Sequence, residues 1–493
     1  MRTLTKLPFH NLHLIAGFGF ILLSFFLVFG LRDIDPPLIF GLLVLLLLAV
    51  IMSARPEFTT TLILFALYAN LGVIAKRNGI PDVVATSLFA ALAFPTLIYV
   101  VVYGQKVIVN FASMLMVLYF AVILVSAALS NDVMDSTDRL IAFVAEGLIL
   151  FVLVTNSVRT PSVLRGALWA LVLAGVLMGS LSLFQEITGS YDNDFGGWAE
   201  VKESEIRVEG ESLIDDGETR QRLSGPIGSK NRYAQIMVVL VPLALGLMWG
   251  ERRRLYRVAA AVSIIPIVGG ALLTFSRGAG ISLVVMLLAL VVLRIVKPLH
   301  LLLVAALLVV VVFVFVPDYV YRISTVTELT QLTSGDVAEV EGSLRGRATV
   351  NLAAIQIFVD HPILGVGPGQ TALHTRAIGN EIGLRTLTTD RRAHNMYLEE
   401  LADTGVVGFA VFMGIVAYLL WRLWQIAKQA QRAQNRDIYY TAMGLLLAII
   451  VYLSTAVFLH LSYVRYYWLL IALASAAVEI YGRHTSTEQL TSG

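Results

Sequence analysis

The sequence predicts an all-α polytopic membrane protein, and three observations carry that prediction. Of the 493 residues 57% are hydrophobic and only 14% charged, with a mean hydropathy of +0.79, far outside the range of soluble domains. The apolar residues fall in runs of roughly 17–25, the length a helix needs to cross a bilayer. The polar residues are concentrated between those runs, above all in two long stretches, 188–230 and 318–404. Lipid offers the backbone no hydrogen-bond partners, so irregular chain of that length must lie in water or be buried by protein.

Taken in order, the apolar runs lie near 12–30, 37–53, 58–75, 83–103, 111–129, 140–156, 163–187, 231–250, 257–275, 279–296, 299–317, 405–426, 438–458 and 464–482. The fourth contains Pro95 and the sixth Glu146, so about 12–14 transmembrane helices are expected. The first run follows Arg2 and Lys6 with no small-residue cleavage site near Gly30-Leu-Arg32-Asp33, and reads as a retained span. If the N-terminus is cytoplasmic, the inside loops collect sixteen Lys and Arg residues, among them Arg252, Arg253, Arg254, Arg257, Lys428, Arg432 and Arg436. The short outside loops hold five: Arg32, Lys76, Arg77, Arg277 and Arg465. Cytoplasmic loops carry the cationic excess, so both termini are expected in the cytoplasm and both long loops on the periplasmic or external face of an inner membrane. The chain then divides into N-terminal spans (1–187), an acidic external loop (188–230), central spans (231–317), a large external loop forming a cap (318–404), C-terminal spans (405–482) and a cytoplasmic tail (483–493).

Between Asp192 and Glu218 the first loop carries ten carboxylates against Lys202 and Arg207, then turns basic at Arg220-Gln-Arg222 and Lys230-Asn231-Arg232. In the second loop Leu344, Ala348, Leu352, Ile355 and Val359 recur at helical spacing, predicting an amphipathic helix that ends before His361-Pro362. Gly365, Gly367 and Gly369 then make a turn, and Asn395, Leu398, Glu399 and Ala402 start a helix stopped at Gly405.

The net charge of +2 is too small to argue for nucleic acid, and the absence of cysteine excludes disulfides, Cys-ligated metal and thiol chemistry. Chemistry is therefore sought where charge meets the spans. Ser276-Arg277-Gly278 puts an arginine between two apolar runs, where a mid-membrane position would cost about 2.5–3.5 kcal/mol; it is either a hairpin with a snorkelling arginine or a cation facing a polar cavity. Arg222, Lys230, Asn231 and Arg232 gather at the mouth of the span that begins near Asn231, and cations at a helix N-terminus form either a lipid anchor or a site for phosphate or diphosphate. His394 follows Arg391 and Arg392 and precedes Asn395 and Glu399; a histidine there serves as general base or as a partner for phosphate. Under the derived orientation Arg222, Arg277 and His394 share one side of the membrane. Asp192-Asn-Asp194, Gly365-Val-Gly367-Pro-Gly369 and the histidine spacings match no metal or nucleotide motif in its required context.

The ordered set Thr274-Phe-Ser276-Arg277-Gly278, Arg347 followed by the helix to His361-Pro-Ile-Leu-Gly365-Val-Gly367-Pro-Gly369, and His394-Asn395-x-Tyr397-Leu-x-Glu400 up to Gly405-x-x-Gly408 resembles the O-antigen ligase and O-antigen polymerase superfamily. Arg222-x-x-Gly225 up to Asn231 joins it more loosely, and the resemblance covers roughly 220–426. It implies a GT-C-like membrane glycosyltransferase of surface-polysaccharide assembly, inverting and independent of metal or other cofactors. It further implies a saccharide donor on undecaprenyl diphosphate and a glycan, lipid A–core or protein acceptor within the membrane lipids. Arg222 and Arg277 would hold the diphosphate, and His394 would deprotonate the acceptor or support the diphosphate. Arg232, Asn231, Lys230, Arg347, Arg391, Arg392, Asn395 and Glu399 would complete the binding surface. Ligase, polymerase and protein O-oligosaccharyltransferase all fit this pattern. A polysaccharide or lipid flippase is the rival from another class, but no internal repeat marks one.

Overall fold

The computed structural model describes residues 55–80, 91–130, 132–205, 219–300, 302–303, 305–306, 342–383, 386–460 and 464–491. The expected spans near 12–30 and 37–53, most of that near 299–317 and the start of that near 83–103 lie outside these residues, as do 206–218 and 318–341. Among the described residues seven helices are long and apolar enough to cross a membrane, or eight if a pair bent by 57° is one span. The chain is an all-α polytopic membrane protein with a single two-stranded sheet among the described residues.

The bent pair is α1 (Pro56–Tyr68) and α2 (Leu71–Arg77), broken at Asn70, whose φ is +62°. There follow α3 (Ala93–Val102), α4 (Phe111–Ala128) and α5 (Val133–Ser157), the last with a π-helical segment at Val144–Ile149. That segment carries the Glu146 noted in the sixth expected span, whose carboxylate lies 3.7 Å from Arg465. An ion partner explains how an apolar helix accommodates the carboxylate. Next are α6 (Pro161–Thr188), capped by Thr160 with Pro161 at its first turn and ended by Gly189 at φ +66°, then β1 (Glu200–Glu205) and β2 (Thr219–Gly225). The central spans are α7 (Lys230–Gly250), α8 (Arg254–Leu272) and α9 (Arg277–Val292).

The remaining helices are α10 (Gly342–Asp360), α11 (Thr371–Ile382), α12 (Met396–Arg432), α13 (Arg436–Ala456) and α14 (Val464–Thr491). The core is centred on α7, which packs against α13, α8 and α6. Gly246 of α7 and Gly444 of α13 face each other; a Cβ at Gly246 would lie 3.2 Å from the Gly444 Cα. Small residues at such a crossing let two helices approach where lipid supplies no hydrophobic drive.

Two features differ from the sequence reading. The first part of the basic run, within Thr219–Gly225, is a strand, antiparallel to β1 with Val201 opposite Leu223 and Lys202 opposite Arg222. Thr-Arg-Gln-Arg-Leu-Ser-Gly has no period-two apolar pattern, so only its partner strand reveals it. Helix α10 forms as expected, but Val350, Ala353, Ala354 and Ile357 are its buried face, while Leu352, Ile355 and Val359 are exposed. The small residues let α10 settle against α11 and α12, whereas the apolar spacing singled out in the sequence marks the outward side.

The glycine turn and the start of α12 interlock. Val366 and Gly367 donate backbone N–H groups to the Ala402 and Asp403 carbonyls at 3.0 and 2.9 Å, and Val406 donates to Pro362 at 2.8 Å. As expected, the helical backbone that starts after Asn395 is interrupted at Gly405, whose φ +65°, ψ −171° is non-helical and divides α12 into a short first part and the following span; a Cβ there would collide with the Ile363 carbonyl. The Asp403 carboxylate accepts from Gly369 N at 2.9 Å, Thr371 N at 3.0 Å and Thr371 Oγ1 at 2.5 Å, closing the far side of the turn.

Candidate functional site

Helices α7, α9, α12 and α13 each place one end at the same end of the bundle, and α10 lies beside them. At their meeting point is a narrow open cleft lined by Asn231, Ser276, Arg277, Arg347, Thr455 and Phe458 among others. Three of the residues singled out in the sequence, from three separate segments, thus line one space. Asn231 and Arg277 come from the first turns of α7 and α9, the helix ends at which the dipole favours an anion. Arg347 comes from α10.

Arg277 is presented by an unusual turn. Phe275, immediately before the Ser276 N-cap, has φ +53°, a left-handed conformation that a bulky residue adopts only when its surroundings enforce it. The enforcing group is Arg222. From β2 its Nε donates to the Thr274 carbonyl at 2.7 Å and its Nη2 to the Phe275 carbonyl at 3.1 Å, with Asn231 Oδ1 at 3.5 Å. Leu223 N also donates to Leu273 O at 3.3 Å, and the Phe275 ring is buried beside Leu272. Arg222 is itself buried, so the structure places it behind the cleft wall, on the backbone that aims Arg277.

Arg232 is also buried. It donates to Gln235 Oε1 at 2.7 Å and to the His460 carbonyl, while Gln235 Nε2 donates to Thr455 at 2.7 Å, so this network ties α7 to the end of α13. The His460 ring stands 5.9 Å from the His394 ring. Burial, then the nearby charges of Arg347, Arg391 and Arg232, push the His394 imidazole down to about 4. Burial, followed by Arg392, Arg232, His394 and Arg139, takes His460 to about 2. Both rings are therefore neutral near pH 7, within a field of arginines that favours a bound anion.

The other residues singled out take supporting positions. The Asn395 carboxamide accepts from the Tyr397 and Leu398 N–H groups at 2.9 and 3.2 Å and so caps α12. Arg392 Nε lies 2.6 Å from Glu399 Oε1. Burial opposes the Arg392 charge, but Glu399, with Asp403 and Glu400 behind it, outweighs burial and holds its pKa above the ordinary value. The Arg391 carbonyl accepts from Thr375 at 2.6 Å, and Arg376 pairs with Asp390 at 3.2 Å, fastening the chain before His394 to α11. Lys230 is the half-exposed first residue of α7. Among the described residues no group of three His, Asp or Glu is arranged to hold a metal ion.

Sequence reasoning missed His460 and the left-handed Phe275, and it gave no partner to Glu400, which is buried and accepts from Tyr119 and, at 3.1 Å, from Thr404. His460 stands alone at the end of a span with no motif around it, and only the fold sets it beside His394. Glu400 lies in the sequence just before the span near 405–426, and only the fold buries it and brings Tyr119 to it.

Residues 263–413, which include Arg277, Arg347 and His394, match the Wzy_C family model, described as O-antigen ligase. No curated protein matches the chain. Over this segment, which contributes most of the cleft and its neighbouring histidine, the chain is similar to O-antigen ligase.

Proposed function

We propose that the protein is a glycosyltransferase of surface-polysaccharide assembly, working at the external face of the inner membrane on a saccharide carried by undecaprenyl diphosphate. The observation that carries this reading is the convergence of Arg277, Arg347 and Asn231 on one cleft at two helix N-termini, with the neutral His394 under the field of Arg347. A diphosphate is the anion such a cleft fits, because charge-assisted contacts and helix dipoles act together there.

In this reading the acceptor hydroxyl attacks the anomeric carbon as the bond to the diphosphate oxygen breaks, so configuration inverts. Arg277 and Arg347 stabilise the charge that gathers on the departing undecaprenyl diphosphate, and the reading assigns that charge to no metal. His394 takes the acceptor proton. It is a weak base in the empty site, but a bound diphosphate offsets the arginine field and raises its basicity at the moment it is needed. Arg222 is a positioning residue acting through the Thr274–Ser276 turn. Arg232 positions His460, and Asn395, Arg392 and Glu399 set the start of α12 beside His394.

The test is a purified protein given undecaprenyl-diphosphate-linked glycan with candidate acceptors: another lipid-linked glycan, lipid A–core or a protein. Release of undecaprenyl diphosphate that depends on one acceptor, and that Arg277→Ala abolishes, is the expected result. Full activity of Arg277→Ala would sink the assignment. Orientation is checked by placing a cysteine at exposed Asp360 or Gln434 of this cysteine-free chain. An impermeant thiol reagent added outside should label Asp360→Cys and leave Gln434→Cys unlabelled, and the reverse pattern would overturn the topology.

A further inference from the structure

At the opposite end of the bundle from the cleft, the α7–α8 connection and the start of α13 enclose a second open cleft of about 450 Å³, mouth included. Arg252, Arg257 and Arg436 line it, together with Trp249 and the carboxylates Glu251 and Asp437. Both carboxylates are already engaged from α6. Glu251 accepts from Trp169 Nε1 at 3.1 Å with Arg165 Nε 3.8 Å away, and Asp437 pairs with Arg165. The three arginines then leave the cleft with a cationic balance. Helix α8 starts at its edge with no side-chain cap, adding the positive end of its dipole.

Two observations tie this cationic cleft to a lipid. Aromatic rings surround it: Trp249 lies 5.6 Å from Tyr440, Trp169 lies 6.2 Å from Tyr256, and the Arg436 guanidinium stands 5.9 Å over the Tyr440 ring. Such rings are favoured at the level of the headgroups. From the cleft an apolar track of Leu255, Val258, Val262 and Ile265 runs along one exposed face of α8, at the three- and four-residue spacing of a single helical stripe. A free phosphate would use the arginines but not the track.

We propose that this cleft binds an anionic membrane phospholipid, with Arg252, Arg257 and Arg436 on the headgroup phosphate and the α8 track against an acyl chain. The site is separate from the catalytic reading and stands or falls without it. The test is native mass spectrometry of the full-length protein in detergent, titrated with phosphatidylglycerol, phosphatidylcholine or inorganic phosphate. Phosphatidylglycerol should bind in preference to phosphatidylcholine, and inorganic phosphate at the same concentration should not displace it. The triple variant R252Q/R257Q/R436Q should weaken phosphatidylglycerol binding by roughly a hundredfold, the product of about fivefold per arginine. The control Arg483→Gln, on a cation outside this cleft, should leave the preference intact. Should the triple variant not fold, Arg252→Gln alone should show the fivefold loss, and Val262→Glu should weaken lipid binding through the track. Equal binding of phosphatidylcholine, complete displacement by inorganic phosphate, or an unchanged preference in the arginine variants would overturn the proposal.

Discussion

Arg222 Nε donates to the Thr274 carbonyl at 2.7 Å, and through that bond a residue of the β-hairpin sets the direction of Arg277 three positions on. A second bond from the same guanidinium, to the Phe275 carbonyl at 3.1 Å, holds Phe275 at φ +53°. The pair ties the β1–β2 hairpin to the turn that presents Arg277.

Replacing Arg222 with alanine leaves two inward-facing carbonyls without their charged donor, a loss of about 1.5–3 kcal/mol for each such bond. Arg222→Ala should therefore lower the thermal midpoint and raise the donor KM roughly tenfold or more, an energy of about 1.4 kcal/mol or above. Arg222→Lys, with one point charge in place of a fork, should recover only part of each. Wild-type donor KM in Arg222→Ala would show that the turn keeps its shape unaided.

The neutral, cation-flanked His394 predicts an asymmetric pH dependence. With its pKa at about 4 in the free site, the acid limb of kcat/KM should fall near pH 4. The acid limb of kcat should lie at higher pH, because bound diphosphate raises the imidazole pKa. Steady-state profiles measured across pH 4–8 on the purified enzyme check this, and superimposed limbs would contradict it.

Stability should respond to the same histidines. Each pKa is depressed on folding from about 6.5, to about 4 for His394 and about 2 for His460. Below pH 6.5 the unfolded chain binds protons that the folded chain refuses. Stability is then complete above that pH and falls as pH is lowered toward each folded value. Thermal midpoints taken between pH 7 and 4.5 should decline, and the decline should be shallower in His460→Gln and His394→Gln.

The interlock of Gly365 and Gly405 gives a backbone prediction. Both have positive φ, +67° and +65°, and a Cβ at either would strike the opposite chain, the Asp403 carbonyl or the Ile363 carbonyl. Gly405→Ala should cost about 1–3 kcal/mol in backbone strain, plus the displacement of the turn. It should appear as a lower thermal midpoint and faster proteolysis before His394. Gly414→Ala, where a Cβ meets nothing within 4 Å, is the matched control.

The fold class was legible because apolar runs of bilayer length leave a helix few alternatives. Arg277 and His394 could be singled out because polar residues beside span ends stand out against so apolar a chain, whereas Arg347, within the long loop, came only from the family resemblance. The convergence of Arg277 and Arg347 on one cleft was not legible, since two span-length runs, near 279–296 and 299–317, and a long loop separate them in the chain. The roles of Arg222 and Asn395 were hidden for a different reason: a buried arginine on carbonyls and a helix-capping asparagine are the same letters as ligand-binding ones. Only the bond partners distinguish them. In α10 the helical period was read correctly, but the buried stripe is the one built of Val350, Ala353, Ala354 and Ile357, the face that meets α11 and α12.

The central claim is that the arginines of the cleft hold the diphosphate while His394 takes the acceptor proton. It is tested most directly by measuring donor binding and single-turnover transfer side by side in His394→Gln. The account predicts donor affinity within about threefold of wild type, a difference under 1 kcal/mol, and transfer slowed by roughly 10²–10⁴, the contribution of a positioned general base. Wild-type transfer, or loss of donor binding in step with loss of transfer, would contradict it.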